Sequence, residues 1–150
     1  MIPESRLIRS ELTIRELALP DDVLLAKKSL IRWLALSLGM ILPNESRRLV
    51  LDILEALFEF QVKNDAPTTR DILARLKETT KSEPNPKAVY YHLQRLKDLG
   101  ILTRKKGRYH FGDGDGRRLR ETFREFYMDK ADNAFTNIER ALEKLENSYK

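Results

Sequence analysis

The chain has 150 residues, 41% of them hydrophobic, enough to bury one compact core with an accessory helical segment but cramped for two full domains. It contains no cysteine, which excludes disulfides, thiolate metal sites and cysteine nucleophiles together and leaves a cytoplasmic setting as the expectation. The formal charge of +5 is unevenly spread: residues 1–67 hold 9 Lys+Arg against 10 Asp+Glu, residues 112–150 hold 8 against 9, and residues 68–111 hold 11 against 4, so the whole positive excess lies in that middle stretch.

Residues 1–19 scatter Leu7, Ile8, Leu12, Ile14, Leu17 and Leu19 among charges without a sustained period. A helix and an extended arm both fit, and without the apolar stretch of a secretory signal no export is expected. Pro20, Asp21 and Asp22 mark a helix start, and the apolar run over 23–41 predicts one helix, weakened at Gly39 and stopped by Pro43. The stretch 30–42, interrupted by Arg32, Ser37 and Gly39, falls short of the roughly 18 to 20 residues of a membrane span, so a buried helix and no membrane insertion are expected.

Asn44 is placed to cap a second helix, in which Leu49, Ile53, Ala56, Leu57 and Phe60 form one stripe opposite Arg48, Asp52, Glu55 and Glu59. After a break at 64–67, Thr68 and Asp71 have capping-box spacing for a short helix from 69 to about 78, with Ile72, Leu73 and Leu76 inward. A polar link over 79–84 leads to Asn85 and Pro86, which suit the cap and first turn of a further helix. Gly100 is its expected left-handed stop, with Ile101 and Leu102 packing back.

On a helical wheel, Val89, Leu93, Leu96 and Leu99, with His92 at the edge, define the inner side of this helix. Lys87, Tyr91 and Gln94 point away, flanked by Tyr90 and Arg95, a set able to reach phosphates, base edges and thymine methyls. Two short strands then turn at Lys106 and Gly107, in an expected register of Leu102 with Phe111, Thr103 with His110, Arg104 with Tyr109 and Lys105 with Arg108. Arg104, Lys105, Lys106 and Arg108 crowd the tip, and the like-charged pair Lys105 and Arg108 is a local cost that a bound anion would relieve. A solvated helix face and a solvated basic turn are the plainer alternatives.

FGDGDG, residues 111–116, has alternating glycines but neither nucleotide-loop spacing nor a parallel crossover, and Asp113 and Asp115 would repel phosphates. It also lacks the remaining ligands of a calcium loop, so an acidic turn is expected. From 117 to about 148, Leu119, Phe123, Phe126, Tyr127, Ala131, Ala134, Phe135, Ile138, Leu142, Leu145 and Tyr149 approach a heptad seam. Such a helix would be on the order of 48 Å long and would outrun its own domain, which favours a partner chain. His92 and His110 have no spacing partners for zinc and no serine sits in a nucleophile motif, so no catalytic residue, metal or cofactor is expected. Trp33, Phe123, Phe126, Tyr127 and Phe135 are read as core before effector pocket.

Residues 68–111 resemble the helix-turn-helix and wing of winged-helix transcriptional regulators, the ArsR-like and PadR-like groups above all, through TTRDILARL, AVYYHLQRLKDLGIL and RKKGRYHF. The resemblance implies major-groove contacts from Lys87, Tyr90, Tyr91 and Arg95, and backbone or minor-groove contacts from Lys106 and Arg108. The last helix is similar to the dimerisation helix of PadR-like proteins. Metal-sensing members use cysteine clusters, absent here, so thiol-based sensing is excluded and the effector stays unnamed.

The expected architecture is mostly α with a small β-hairpin wing, a winged helix-turn-helix with an extra N-terminal helix and a long C-terminal dimerisation helix. Its parts are an arm and apolar helix (1–43), a DNA-binding domain (44–112) and the dimerisation helix (113–150). The expected function is non-enzymatic: sequence-specific binding of double-stranded DNA by a homodimeric transcriptional regulator, with helix 85–99 in the major groove and wing 101–111 on backbone or minor groove. The DNA-facing set is Lys87, Tyr90, Tyr91, Gln94, Arg95, Arg104, Lys105, Lys106 and Arg108; the dimer set is Trp33, Phe123, Tyr127, Phe135, Ile138, Leu142 and Leu145. The alternatives are a winged-helix protein-interaction module of transcription, replication or membrane-remodelling machinery, and a non-specific nucleic-acid binder.

Overall fold

The computed structural model describes residues 2–46 and 48–149, and these are mostly helical, with one two-stranded antiparallel hairpin and a long C-terminal helix. In chain order the elements are α1 (Asp21–Leu25), α2 (Lys27–Ser37), α3 (Leu49–Val62), α4 (Thr69–Thr80), α5 (Pro86–Asp98), β1 (Leu102–Lys105), β2 (Arg108–Phe111) and α6 (Leu119–Ser148). A single 3-10 turn, Glu4–Leu7, precedes an arm without regular structure up to Pro20. No helix among the described residues is long and apolar enough to cross a membrane.

The single helix expected over 23–41 is instead two. Ala26 is extended (φ −119°, ψ 117°) between α1 and α2, and α2 ends at Ser37. The early stop leaves backbone carbonyls without helical partners, and two arginines supply donors. Arg15 Nη1 donates to the carbonyls of Leu36 (2.7 Å) and Ile41 (2.9 Å), and Arg95 donates to those of Gly39 (2.8 Å) and Met40 (3.2 Å). Freed from the helix, Leu38, Met40 and Ile41 turn into the core.

Asn44 does not cap the next helix. It lies in a turn at φ 64°, where the Leu42 amide donates to the Glu45 carboxylate, and α3 begins only at Leu49, behind Arg48 and without a side-chain cap. The buried face of α3 is wider than the predicted stripe, adding Val50 and Leu54 to Ile53, Ala56 and Leu57, because this helix packs against α2, α4 and α5 together.

The next elements follow their local signals. Thr68 and Asp71 form the reciprocal capping box of α4, which runs to Thr80. The Asn85 side chain accepts from the Lys87 amide, with Pro86 in the first turn of α5. Gly100 takes the left-handed conformation (φ 75°) that stops this helix. A Cβ there would lie 2.5 Å from the Phe126 ring, so the glycine also lets α6 dock on the end of α5. The hairpin has the predicted register at all four pairs, and both turn residues, Lys106 (φ 52°) and Gly107 (φ 78°), are left-handed, as a tight two-residue hairpin turn requires.

One core joins these pieces: Ile53 and Leu54 of α3, Ile72 and Leu76 of α4, Val89, Leu93 and Leu96 of α5, with Leu102, Tyr109 and Tyr127 closing it from the hairpin and α6. The Tyr109 amide donates to the Pro67 carbonyl at 2.8 Å, fixing β2 to the residue before the α4 cap.

Candidate nucleic-acid interface

With Val89, Leu93 and Leu96 buried, α5 turns Lys87, Tyr90, Tyr91 and Gln94 to solvent. Tyr91 is 63% exposed and Tyr90 47%, so both rings are open to contact on a helix whose other side is fully packed. Gln94 Nε2 donates to Asp98 at 3.2 Å, one turn along the same face.

The hairpin is tied to this face by Arg104. Its Nη1 donates to the Tyr90 hydroxyl at 2.8 Å, and its guanidinium carbon lies 5.9 Å from the Tyr90 ring centroid and 5.3 Å from that of Tyr109. Tyr109 is itself buried and accepts from the Thr69 hydroxyl at 3.3 Å, so the stack rests on the core. Arg108 Nη1 donates to the Ala66 carbonyl at 2.8 Å, bracing the second strand against the loop before α4.

The cations differ in how free they are. Among the described residues Lys87 and Lys106 make no ion pair, and both are exposed. Lys105 Nζ is held 2.8 Å from Asp115, whose carboxyl it keeps below the usual range by hydrogen bond and charge. Asp115 belongs to the acidic turn after the hairpin, where Arg117 pairs with Asp113 at 3.6 Å and also with Glu125. Expected from its sequence as a plain acidic turn, this segment has a chemical role: it covers one hairpin lysine.

Arg95 departs furthest from expectation. Although the wheel sets it beside the outward residues, its guanidinium is turned back onto the Gly39 and Met40 carbonyls and is partly buried. Arg70, which the sequence pattern does not single out, is exposed in the first turn of α4, and its charge, like that of Arg108, lowers the pKa of Asp71.

The expected dimer residues divide. Tyr127 is buried in the core of its own chain, where desolvation raises its hydroxyl pKa, and Phe123 packs beside it at 4.5 Å between ring centroids. Trp33 Nε1 donates to the Ala18 carbonyl at 2.7 Å and fastens the N-terminal arm to α2. Phe135, Ile138, Leu142 and Leu145 lie on the outlying part of α6 and are exposed. A cleft of about 680 Å³ is bordered by the arm, the end of α2, the end of α5 and α6; of Trp33, Phe123, Phe126, Tyr127 and Phe135 only Phe126 lines it. No cluster of three or more His, Cys, Asp or Glu side chains able to hold a metal occurs among the described residues.

Comparison with known proteins found no family model, no curated protein and no solved structure that matches this chain.

Proposed function

We propose that the chain is a cytoplasmic winged helix-turn-helix protein that binds double-stranded DNA as a homodimeric transcriptional regulator, with α5 in the major groove and the hairpin as the wing. The observation that carries this reading is the Arg104 stack. It joins the exposed face of α5 to the hairpin within the stretch that holds the whole positive excess of the sequence. Lys87 and Lys106 supply cations without an ion pair among the described residues at either part of that surface, and Tyr91 and Gln94 supply groups able to read base edges.

The experiment is an anisotropy titration of labelled duplex at several salt concentrations, with selection from a random pool for sequence preference. Neutralising phosphates releases counterions, so log K should fall linearly with log salt, and Lys87→Ala with Lys106→Ala should flatten the slope by roughly 0.9 for each phosphate that is no longer neutralised. Absence of salt-dependent affinity for any duplex overturns the proposal.

A further inference from the structure

Only the beginning of α6 is used by the core. Leu119, Phe123, Phe126 and Tyr127 pack inward, after which the helix runs on to Ser148 with its apolar side chains uncovered. Met128, Phe135, Leu142 and Tyr149 are each seven residues apart, and so are Ala131, Ile138 and Leu145, which fall three residues after the first three. This is a strict three-heptad seam with the first set at a and the second at d. Phe135, Ile138, Leu142 and Leu145 stay 51–58% exposed, within a seam that runs roughly 32 Å from Met128 to Tyr149 at about 1.5 Å per residue. A seven-residue repeat stays on one line only when the helix supercoils around another, so the pattern calls for a helix as occupant.

The flanks choose which helix and in which direction. Flanking a on the helix surface, at the e positions, stand Asp132, Glu139 and Glu146; flanking d, at the g positions, stand Ala134, Ala141 and Ser148. Lys130 and Lys144 occupy c positions, next to the small-residue flank. We propose that this seam is covered by the same seam of a second copy in a parallel two-stranded coiled coil. In an antiparallel pair the two e flanks meet, lining up six carboxylates without a cation, and the two lysine-bearing sides also meet. In a parallel pair each acidic flank lies against the partner's Ala and Ser flank. Those short side chains leave room for the partner's exposed Lys144 to reach across to the carboxylates, while Lys130 lies over the Phe126 ring of its own chain. The charges of this helix therefore complement a second copy of itself in one direction only.

The arrangement rests on the two-copy reading of the proposed function and sharpens it: both α5–hairpin surfaces then project from the same end of the coil, on opposite sides of a two-fold axis along it. The absence of native cysteine makes the test direct. Full-length Tyr149→Cys, mildly oxidised without DNA, should give disulfide-linked dimers, whereas Asn147→Cys on the outward side should not. A mixture of Met128→Cys and Tyr149→Cys should yield only like-to-like links. Links between positions 128 and 149 would mean an antiparallel pair and overturn the proposal, as would a monomer by sedimentation at tens of micromolar. Leu142→Glu, at an exposed position outside the core, should halve the sedimenting mass with the helical circular dichroism of the folded chain retained; an unchanged dimer mass would overturn it equally. Cross-linking and mass are read without DNA, so these results stand apart from any failure to bind a duplex.

Discussion

Arg104 on β1 donates to the hydroxyl of Tyr90 on α5 at 2.8 Å while its guanidinium lies over the rings of Tyr90 and Tyr109, so one side chain bridges the exposed faces of hairpin and helix above their shared core. An arginine engaged in this way sets the angle of the hairpin more than it supplies a free charge. Tyr90→Phe keeps the ring and removes the hydrogen bond; it should cost about 0.5–1.5 kcal/mol of stability and weaken duplex binding several-fold without altering the salt slope. Arg104→Ala should change the slope by less than the roughly 0.9 expected for Lys106→Ala. Equal slopes for the two variants would make Arg104 a phosphate contact and not a positioning residue.

Arg95 illustrates the opposite case, a cation on α5, the helix proposed to face DNA, that serves the fold. Its two hydrogen bonds, to Gly39 and Met40, satisfy carbonyls released where α2 ends. Hydrogen bonds to a charged group contribute about 1.5–3 kcal/mol, so Arg95→Ala should destabilise the chain by about 2 kcal/mol or more in urea unfolding. Lysine should rescue poorly, because one ammonium does not reproduce the planar fork. Unchanged stability with a slope flattened by about 0.9 would return Arg95 to the phosphate-contacting set.

What the sequence disclosed and what it hid divide along the range of the interactions. The Thr68–Asp71 box, the Asn85 cap, the Gly100 stop and the hairpin register are set by residues a few positions apart, so spacing alone reveals them. The end of α2 is not of this kind: its carbonyls are satisfied by Arg15 and Arg95, between 21 and 56 positions distant from their acceptors, and an apolar run therefore reads as one helix through 41. Within the site, the helical wheel has the correct outward direction for Lys87, Tyr91 and Gln94. It does not show that a long side chain such as Arg95 bends back. In α6 the apolar rhythm continues unbroken from Phe123 to Leu145, so no local mark separates Tyr127 in the core from Phe135 outside it.

The Lys105–Asp115 pair places a carboxylate on a hairpin lysine that, on the proposed function, would meet a phosphate. Both partners are largely solvated, so the pair contributes little to the fold. Its effect on anion binding should be larger. Asp115→Asn releases Lys105 and removes a like charge from the duplex, so affinity should rise and the salt slope should steepen by about 0.9 if the lysine then reaches a phosphate. Because Lys105 lowers the Asp115 pKa, the pair persists below the usual carboxylate range and is no switch near neutrality. Anisotropy at two salt concentrations separates these outcomes, and an unchanged slope would leave Lys105 outside the interface.

Asp71 links the start of α4 to acid stability. The Thr68 amide donates to its carboxylate at 3.0 Å while its own amide donates to the Thr68 hydroxyl at 3.1 Å, and the hydrogen bonds with Thr68 lower its pKa, helped by the charges of Arg108 and Arg70. A carboxylate whose pKa is lowered by folding adds stability that is fully present above the unfolded value of 3.8 and is lost as pH falls through the lower folded value. Asp52 acts with the opposite sign: burial raises its pKa, so its protonation favours the fold on acidification, and the overall acid profile mixes the two. Comparison with Asp71→Asn isolates one contribution, since the amide keeps an acceptor oxygen but does not titrate. The variant should be the less stable at pH 6, and the gap in urea unfolding free energy should close between about pH 5 and pH 2. Thr68→Ala, which removes the hydroxyl partner, should cost about 1 kcal/mol at pH 6. A gap between the native chain and Asp71→Asn that stays constant down to pH 2 would detach the capping box from the acid transition.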